Sequence, residues 1–233
     1  MKSLIIIPTY NERNNIKALI PQIFSIIPDI WITVVDDNSP DGTADEVRNI
    51  MRKYDHLNLI LREKREGLGK AYMSAFKSTL EDKDIKSIIM MDADFSHDPR
   101  SIPEMIRQSD NFTFVVGSRY IKGGGIVGWE IWRRALSLFG NIYCRIIIRI
   151  PIKDCTGGFN MINTNLLRRL DFEAMDSSGY AFQVELKYML YKVGGNFKEI
   201  PIIFKNRTEG ESKISSHIIR EGILAPWKMV WRR

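Results

Sequence analysis

Three polar clusters in the first hundred residues carry the chemistry open to this chain. Asp92 and Asp94 flank a single Ala93 directly after the apolar run Ile88–Met91. Two carboxylates so placed repel unless a cation stands between them. Asp36-Asp37 ends a second apolar run, Trp31–Val35, and Pro8-Thr9-Tyr10-Asn11-Glu12 ends a third, Ser3–Ile7. With only three His and two Cys in 233 residues, a disulfide framework, a Cys-rich zinc site and a His-cluster metal site are all disfavoured. A carboxylate-rich, His-poor set selects a hard ion, Mg²⁺ or Mn²⁺, of the kind usually shared with substrate phosphates. Asp41, just before Thr43-Ala44, reads instead as a helix cap.

The fourth cluster is cationic. Nine Lys/Arg lie between Arg119 and Arg169 against only Glu130 and Asp154, so this window carries the whole excess behind the net charge of +6. A basic block on a near-neutral body calls for a local anionic partner: nucleic acid, a phosphorylated ligand or lipid headgroups.

Elements that could position these clusters follow from periodicity. Ile16, Leu19, Ile20, Ile23, Phe24 and Ile27 recur at helical spacing, with Thr9 and Glu12 as a capping box. Helices are also predicted around Ala44–Tyr54, Ala71–Leu80, Arg133–Arg149 and Phe182–Tyr191. Strands are predicted at Ser3–Ile7, Trp31–Val35, Leu57–Leu61, Ser87–Met91, Phe112–Gly117, Phe159–Ile162 and Phe197–Phe204. Alternation of strand and helix predicts an α/β protein with a mostly parallel, doubly wound sheet and helices on both faces. In such a sheet ligands bind beyond the carboxyl ends of the strands, where the acidic clusters fall. Lys122-Gly-Gly-Gly125 reads as a mobile loop beside the site.

Several activities are disfavoured. No GxGxxG follows the first strand, Gly67-Leu-Gly-Lys70 lacks the Walker spacing, and no Gly-x-Ser-x-Gly elbow occurs. Nucleic acid is not expected as a partner, since neither an RNA-binding aromatic motif nor zinc-finger spacing is present. No stretch reaches the ~18 to 20 apolar residues of a transmembrane helix, and the N-terminal apolar run is too short for a signal peptide.

Six motifs in order, Pro8–Glu12, Val35–Thr43, Asp92–His97, Gly117-Ser-Arg-Tyr120, Asp154-Cys-Thr-Gly-Gly158 and Gly210-Glu-Ser-Lys213, closely resemble those of the dolichol-phosphate (polyprenol-phosphate) mannose synthases. These are inverting family-2 glycosyltransferases with a GT-A fold, and the resemblance runs from about Ser3 to Lys213. It implies GDP-mannose as donor, dolichyl or polyprenyl phosphate as acceptor and a β-linked mannosyl phospholipid, used in glycan and glycoprotein assembly, as product. It implies that Pro8, Tyr10 and Glu12 hold the nucleotide, with Val35 and Asp37 near the base and ribose. Asp92, Ala93 and Asp94 would line the diphosphate, with Asp94 on the Mg²⁺ or Mn²⁺ and Asp92 and Ser96 as further candidate ligands. Arg119 and Arg133 would handle donor and acceptor phosphates, and Arg207 and Lys213 would close over the donor. Asp154 would orient the arginines or the sugar, since a phosphate nucleophile needs no base.

Two departures stand out. Ser96 replaces a Gln that many relatives use on the metal, and the chain stops at Arg233 where many relatives continue into transmembrane helices. The expectation is therefore a catalytic subunit without a transmembrane helix, peripheral on the cytoplasmic face of a membrane (endoplasmic reticulum in a eukaryote, cell membrane in a prokaryote). It would bind the surface directly or through small membrane-anchoring subunits. At ~100° per residue, Arg134, Asn141, Arg145 and Arg149 share one helical arc beside an apolar face of Ala135, Phe139, Ile142 and Ile146, which suits an anionic interface. Residues 1–213 are expected to form the transferase domain. Residues 214–233, with Trp227, Trp231 and terminal arginines, form an amphipathic segment of interfacial composition. Packing of both helices on the domain is the competing expectation. The rival functions are UDP-glucose-dependent glucosyl transfer and a non-catalytic nucleotide-sugar-binding scaffold.

Overall fold

A computed structural model describes residues 2–175, 179, 181–206 and 216–231, without the side chains of 216–221. The chain runs β1 (Lys2–Thr9), α1 (Arg13–Ile26), β2 (Trp31–Asp36), α2 (Thr43–Met51), β3 (Leu57–Leu61), α3 (Leu68–Thr79) and β4 (Ile85–Met90). A 3₁₀ turn at Pro99–Ser101 leads into α4 (Ile102–Gln108) and β5 (Thr113–Ser118). Then follow β6 (Gly125–Val127), α5 (Ile131–Ile148), β7 (Asn160–Asn163), α6 (Thr164–Leu167), α7 (Ala181–Lys192), β8 (Asn196–Pro201), β9 (Ile203–Lys205) and α8 (Ser216–Trp231).

Seven strands form one sheet in the order β3-β2-β1-β4-β7-β5-β8, parallel except for β7, which runs antiparallel to β4 and β5. Because side chains alternate along a strand, β1 feeds two cores. Leu4 and Ile6 join the core beneath α3 and α7, while Ile5 and Ile7 join that beneath α1, α2 and α4. This is the expected doubly wound architecture.

The reversed strand matters for the site. Val116 and Met90 both pair with Asn160, the first residue of β7. The loop before β7, Asp154–Phe159, therefore emerges at the same sheet edge as the loops after β4 and β5. Three of these strand-end loops hold a non-glycine residue at positive φ: Asn11 (61°), Asn38 (55°) and Phe95 (59°). For a bulky residue such as Phe95 that conformation costs about 1–3 kcal/mol, the kind of strain that clusters at ligand sites.

Four local expectations are corrected. Thr9 does not cap α1, because its hydroxyl donates to Asp36 Oδ1 at 2.8 Å, and the Glu12 carboxylate accepts from Asn15 Nδ2 at 2.6 Å. Lys122–Gly125, expected as a loop, is a loop only to Gly124. Gly125 opens β6, which pairs in parallel with β9, and a Cβ on Gly124 would meet the Ser118 carbonyl oxygen at 2.5 Å. The expected strand at Phe197–Phe204 is two strands, β8 and β9, in different sheets. Finally, one residue leaves the expected polar arc of α5: Asn141 is buried, while Arg134 and Arg149 stay exposed and Phe139, Ile142 and Ile146 face outward. Asn141 Nδ2 donates to Thr156 Oγ1 (3.1 Å) and the Thr156 N–H donates to Asn141 Oδ1 (3.1 Å), so the polar residue is drawn in to hold the Asp154–Gly158 loop.

Candidate active site

Asp36, fully buried, accepts from Thr9 Oγ1, Ser39 N and Ser39 Oγ within 2.6–2.8 Å, which ties the loops after β1 and β2 together. Asp41 is not itself the N-cap of α2, which is Gly42; from one residue earlier its carboxylate accepts from the N–H of Thr43 (2.9 Å) and of Arg13 (3.1 Å), the first residues of α2 and α1. Asp37 is buried beside Asp36 and paired with Arg62. Burial raises its pKa against the opposing pull of Arg62, whose Nη1 lies 2.6 Å from Asp37 Oδ1. The Tyr10 ring carries the Arg65 guanidinium 4.3 Å above it. Val35 contributes no side chain here, being fully buried in the core with Leu4 and Ile6. Arg207 and Lys213 lie outside the described residues.

Asp92 and Asp94 leave the end of β4 as the periodicity requires, with Ala93 turned into the core between them. The Ser96 N–H donates to Asp94 Oδ1 at 3.1 Å, and Ser96 Oγ is buried without a hydrogen-bond partner among the described residues. Among the described residues no group of three or more His, Cys, Asp and Glu could enclose a metal. Two carboxylates with an orphaned hydroxyl beside them fit a hard divalent ion whose remaining ligands come from substrate phosphates. His97, stacked on Phe159 at 4.9 Å, accepts the Asp92 N–H on Nδ1 at 3.1 Å. Burial lowers its pKa, so the ring is neutral and carries its proton on Nε2.

The arginines expected to act as a pair have different surroundings. Arg119 is buried and gripped by Asp154: Nε to Oδ2 and Nη2 to Oδ1, both 2.7 Å, with its own N–H to Oδ2 at 3.0 Å. Nη2 also donates to Thr156 Oγ1 at 2.8 Å. Burial alone would raise the pKa of Asp154, but the charge and hydrogen bonds of Arg119 hold it below the usual carboxylate range. Arg133 is half-buried, its guanidinium 4.0 Å over the Trp129 ring and its Nε without a partner among the described residues. Trp129 also lies 6.0 Å from Arg119, so one indole bridges the two cations.

Behind this wall sits a residue the periodicity gave no reason to select. Lys187, on α7, is fully buried and donates to the carbonyls of Gly157 (2.6 Å) and Cys155 (3.2 Å). Burial pushes its ammonium down to about 8. Arg62, Trp129, Asn160 and Gln183 are likewise site residues that spacing alone did not reveal. Gln183, Glu185 and Lys187 are buried at i, i+2 and i+4 of a helix buried nearly all round, and that polar content was the available signal.

A cavity of about 440 Å³ joins these groups. Asp92, His97, Arg119, Arg133, Gly158 and Gln183 line its polar part. The remainder runs between α5 and α8 past Leu136, Phe139, Tyr143, Ile223, Ala225 and Pro226. Trp227 Nε1 donates to Tyr143 Oη, which donates to the Ile223 carbonyl, both at 2.8 Å, holding the two helices together.

Residues 4–171 match the model of glycosyl transferase family 2. The chain is 34% identical over 224 residues to an undecaprenyl-phosphate mannosyltransferase of Micrococcus luteus, covering 96% of this chain and 92% of that one. It is 36% identical over 233 residues to a polyprenol monophosphomannose synthase of Mycolicibacterium smegmatis, covering 97% and 86%. Among solved structures, glucosyl-3-phosphoglycerate synthase from Mycobacterium tuberculosis with UDP superposes with a TM-score of 0.69 at 14% identity, over 98% of this chain and 79% of that one. A mannosyltransferase from Pyrobaculum calidifontis with GDP-Man and Mn²⁺ does so with a TM-score of 0.64 at 16% identity, over 100% and 64%. With its GT-A sheet and its acidic strand ends facing two cations, the chain belongs to glycosyl transferase family 2.

Proposed function

We propose that this protein transfers mannose, with inversion, from GDP-mannose to a polyprenyl phosphate, dolichyl phosphate in the form expected from the sequence. The observation that carries the reading is the cavity, polar and cationic at Asp92, Arg119 and Arg133 and apolar between α5 and α8. A phosphate on a prenyl chain has that same division. The names of the two mannosyl-transferring relatives support the sugar and the lipid class, and the GDP-Man and Mn²⁺ in a fold neighbour support the donor and a divalent cation.

An acceptor phosphate oxygen would form the bond to the mannosyl anomeric carbon as the bond to the diphosphate breaks, and GDP leaves with the electron pair. The acceptor's second pKa lies near 6, so it is already largely dianionic at neutral pH and no protein base is needed. The task is to hold two anions together, and Arg119 and Arg133 offset their repulsion. Asp154 keeps the Arg119 fork in place. Asp94, with Asp92 and Ser96, would hold a divalent ion, Mg²⁺ or Mn²⁺, which when bound neutralises charge on the diphosphate. Pro8, Tyr10, Glu12 and Asp37 would receive the nucleotide, with Arg207 and Lys213 closing over it.

No helix among the described residues is long and apolar enough to cross a membrane. The outward faces of α5 and α8 are nonetheless apolar: Ile131 is 86% exposed, Phe139 68%, Ile146 67% and Trp231 76%. Exposed Arg134, Arg149 and Lys228 flank them. A patch of this kind suits an anionic membrane interface, cytoplasmic in orientation, with the cavity opening toward the lipid. Residues 1–213 would then be the transferase domain and 214–233 the lipid- or subunit-contacting segment.

The test is incubation of the protein with radiolabelled GDP-mannose, Mg²⁺ or Mn²⁺ and undecaprenyl or dolichyl phosphate, followed by extraction into organic solvent. Label in the lipid phase is the expected result. Label from UDP-glucose instead would reassign the donor, and no transfer from either donor by folded protein would overturn the reading.

A further inference from the structure

At the inner end of the cavity, one hydrogen-bond chain fixes the orientation of a buried amide. Asn160 Nδ2 lies 3.1 Å from the Gly157 carbonyl and 3.0 Å from Gln183 Oε1. A carbonyl only accepts, so the Asn160 nitrogen must face it. The second hydrogen of that nitrogen then requires an acceptor, which places Gln183 Oε1 toward Asn160 and turns Gln183 Nε2 the other way. Lys187 holds the same Gly157 carbonyl from behind at 2.6 Å, so the starting point of the chain cannot drift. Gln183 is 2% exposed, it lines the cavity, and its Nε2 has no partner among the described residues.

An unpaired amide donor at such depth costs free energy unless a ligand completes it. Its surroundings say which kind. A methyl group built on Gly158 would sit 3.6 Å from Gln183 Nε2, 3.8 Å from Asp92 Oδ2 and 3.5 Å from His97 Cε1. Glycine thus leaves open a small volume faced by one neutral donor and one carboxylate acceptor. A hydroxyl matches that pair, accepting from the amide and donating to the carboxylate oxygen. The phosphate-handling cations, Arg119 and Arg133, stand on the Trp129 wall.

We propose that Gln183, aimed by Asn160, and Asp92 bind one hydroxyl of the donor's hexose in the space above Gly158, which makes Gln183 a sugar-reading residue of the transferase. This rests on the proposed function in that the cavity is taken to hold a nucleotide sugar. A site built to hydrogen-bond a hydroxyl discriminates strongly against analogues lacking it, so Gln183 selects among hexoses rather than among nucleotides.

The experiment measures dissociation constants of GDP-mannose and of GDP for wild type, Gln183→Glu and Gln183→Leu, all with the same divalent ion. Gln183→Glu keeps the acceptor facing Asn160 but sets a second carboxylate beside Asp92, so the neutral Gln183→Leu carries the comparison with GDP. Loss of one hydrogen bond predicts GDP-mannose binding about tenfold weaker in both variants, with GDP binding unchanged in Gln183→Leu. A series of GDP-deoxymannoses then locates the hydroxyl: the one whose removal wild type penalises should carry no further penalty in Gln183→Leu. The proposal is overturned if GDP and GDP-mannose weaken together in Gln183→Leu, if neither weakens, or if every deoxy penalty persists in the variant. The donor reading fails separately, in wild type alone. Should wild type bind UDP-glucose instead, the same comparison of UDP-glucose with UDP decides the role of Gln183.

Discussion

Replacing Asp154 by Asn separates a positioning carboxylate from a catalytic base. Asp154 Oδ2 accepts from Arg119 N (3.0 Å) and Nε (2.7 Å), and Oδ1 accepts from Arg119 Nη2 (2.7 Å) and Gly157 N (2.9 Å). Whichever way an Asn amide sits, its NH₂ points at two donors, so two of these four bonds are lost. The buried Arg119 also loses its counter-charge, and breaking one side of a buried pair costs about 3–5 kcal/mol. Asp154→Asn should therefore lower the urea midpoint substantially and reduce turnover by roughly 10² or more, the scale for losing a charge-stabilising donor. Its pH profile should keep its shape. Arg119 holds the Asp154 carboxyl below the usual range, so it stays ionised throughout pH 5 to 8 and supplies no limb near pH 6, where the acceptor phosphate titrates. A phosphonate acceptor of higher second pKa should move the acidic limb upward in wild type and variant alike. If the limb ignores the phosphonate and shifts or vanishes with Asp154→Asn, a protein base operates and the positioning argument is refuted.

Arg133→Ala should cost turnover roughly 10² with little loss of stability, whereas Arg119→Ala should cost both, because it strands Asp154; lysine should rescue either only in part, lacking the bidentate fork, and paired kinetics and urea unfolding decide this. Asp94→Ala should abolish metal-dependent turnover while melting within a few degrees of wild type; activity undiminished by exhaustive chelation would refute it. Phe139→Ser with Trp231→Ser, or neutralisation of Arg134 and Arg149, should weaken pelleting with anionic vesicles, the charges contributing about 1 kcal/mol each and fading with salt, while sparing a short water-soluble prenyl phosphate. Lys187, at about 8 against 10.5 in the unfolded chain, is protonated in both states below pH 8, where its burial costs stability about 3 kcal/mol. Between pH 8 and 10.5 the unfolded chain binds more protons, so this contribution makes stability rise with pH. Cys144 and Cys155, raised to about 11 and 12 by burial, act oppositely above pH 9, so the difference between wild type and Lys187→Met in urea unfolding is the quantity to follow.

The doubly wound sheet was legible in the residues alone, because apolar runs alternating with helical periodicity leave few other ways to bury both faces. So were Asp37, Asp92 and Asp94 at strand ends, since each follows on a buried strand and local chain direction carries it there. Arg119, and Asp154 as the residue that orients the arginines or the sugar, came through motif resemblance, not through spacing. The rest depended on contacts between segments distant in the chain. The antiparallel insertion of β7 delivers Asp154–Gly158 to the ligand edge, and pairing between strands so distant in sequence has no local signal. Periodicity grouped the faces of α5 but gave no sign that Asn141 would leave the exposed polar arc. Asn141 is buried because Thr156 awaits it, and the apolar face is left outward where a lipid surface can cover it. The same holds for Gln183 and Lys187. Polar residues in a helix read as its solvated face until the fold surrounds them with backbone carbonyls and an aligned amide, and those partners lie some 23 to 32 residues away along the chain.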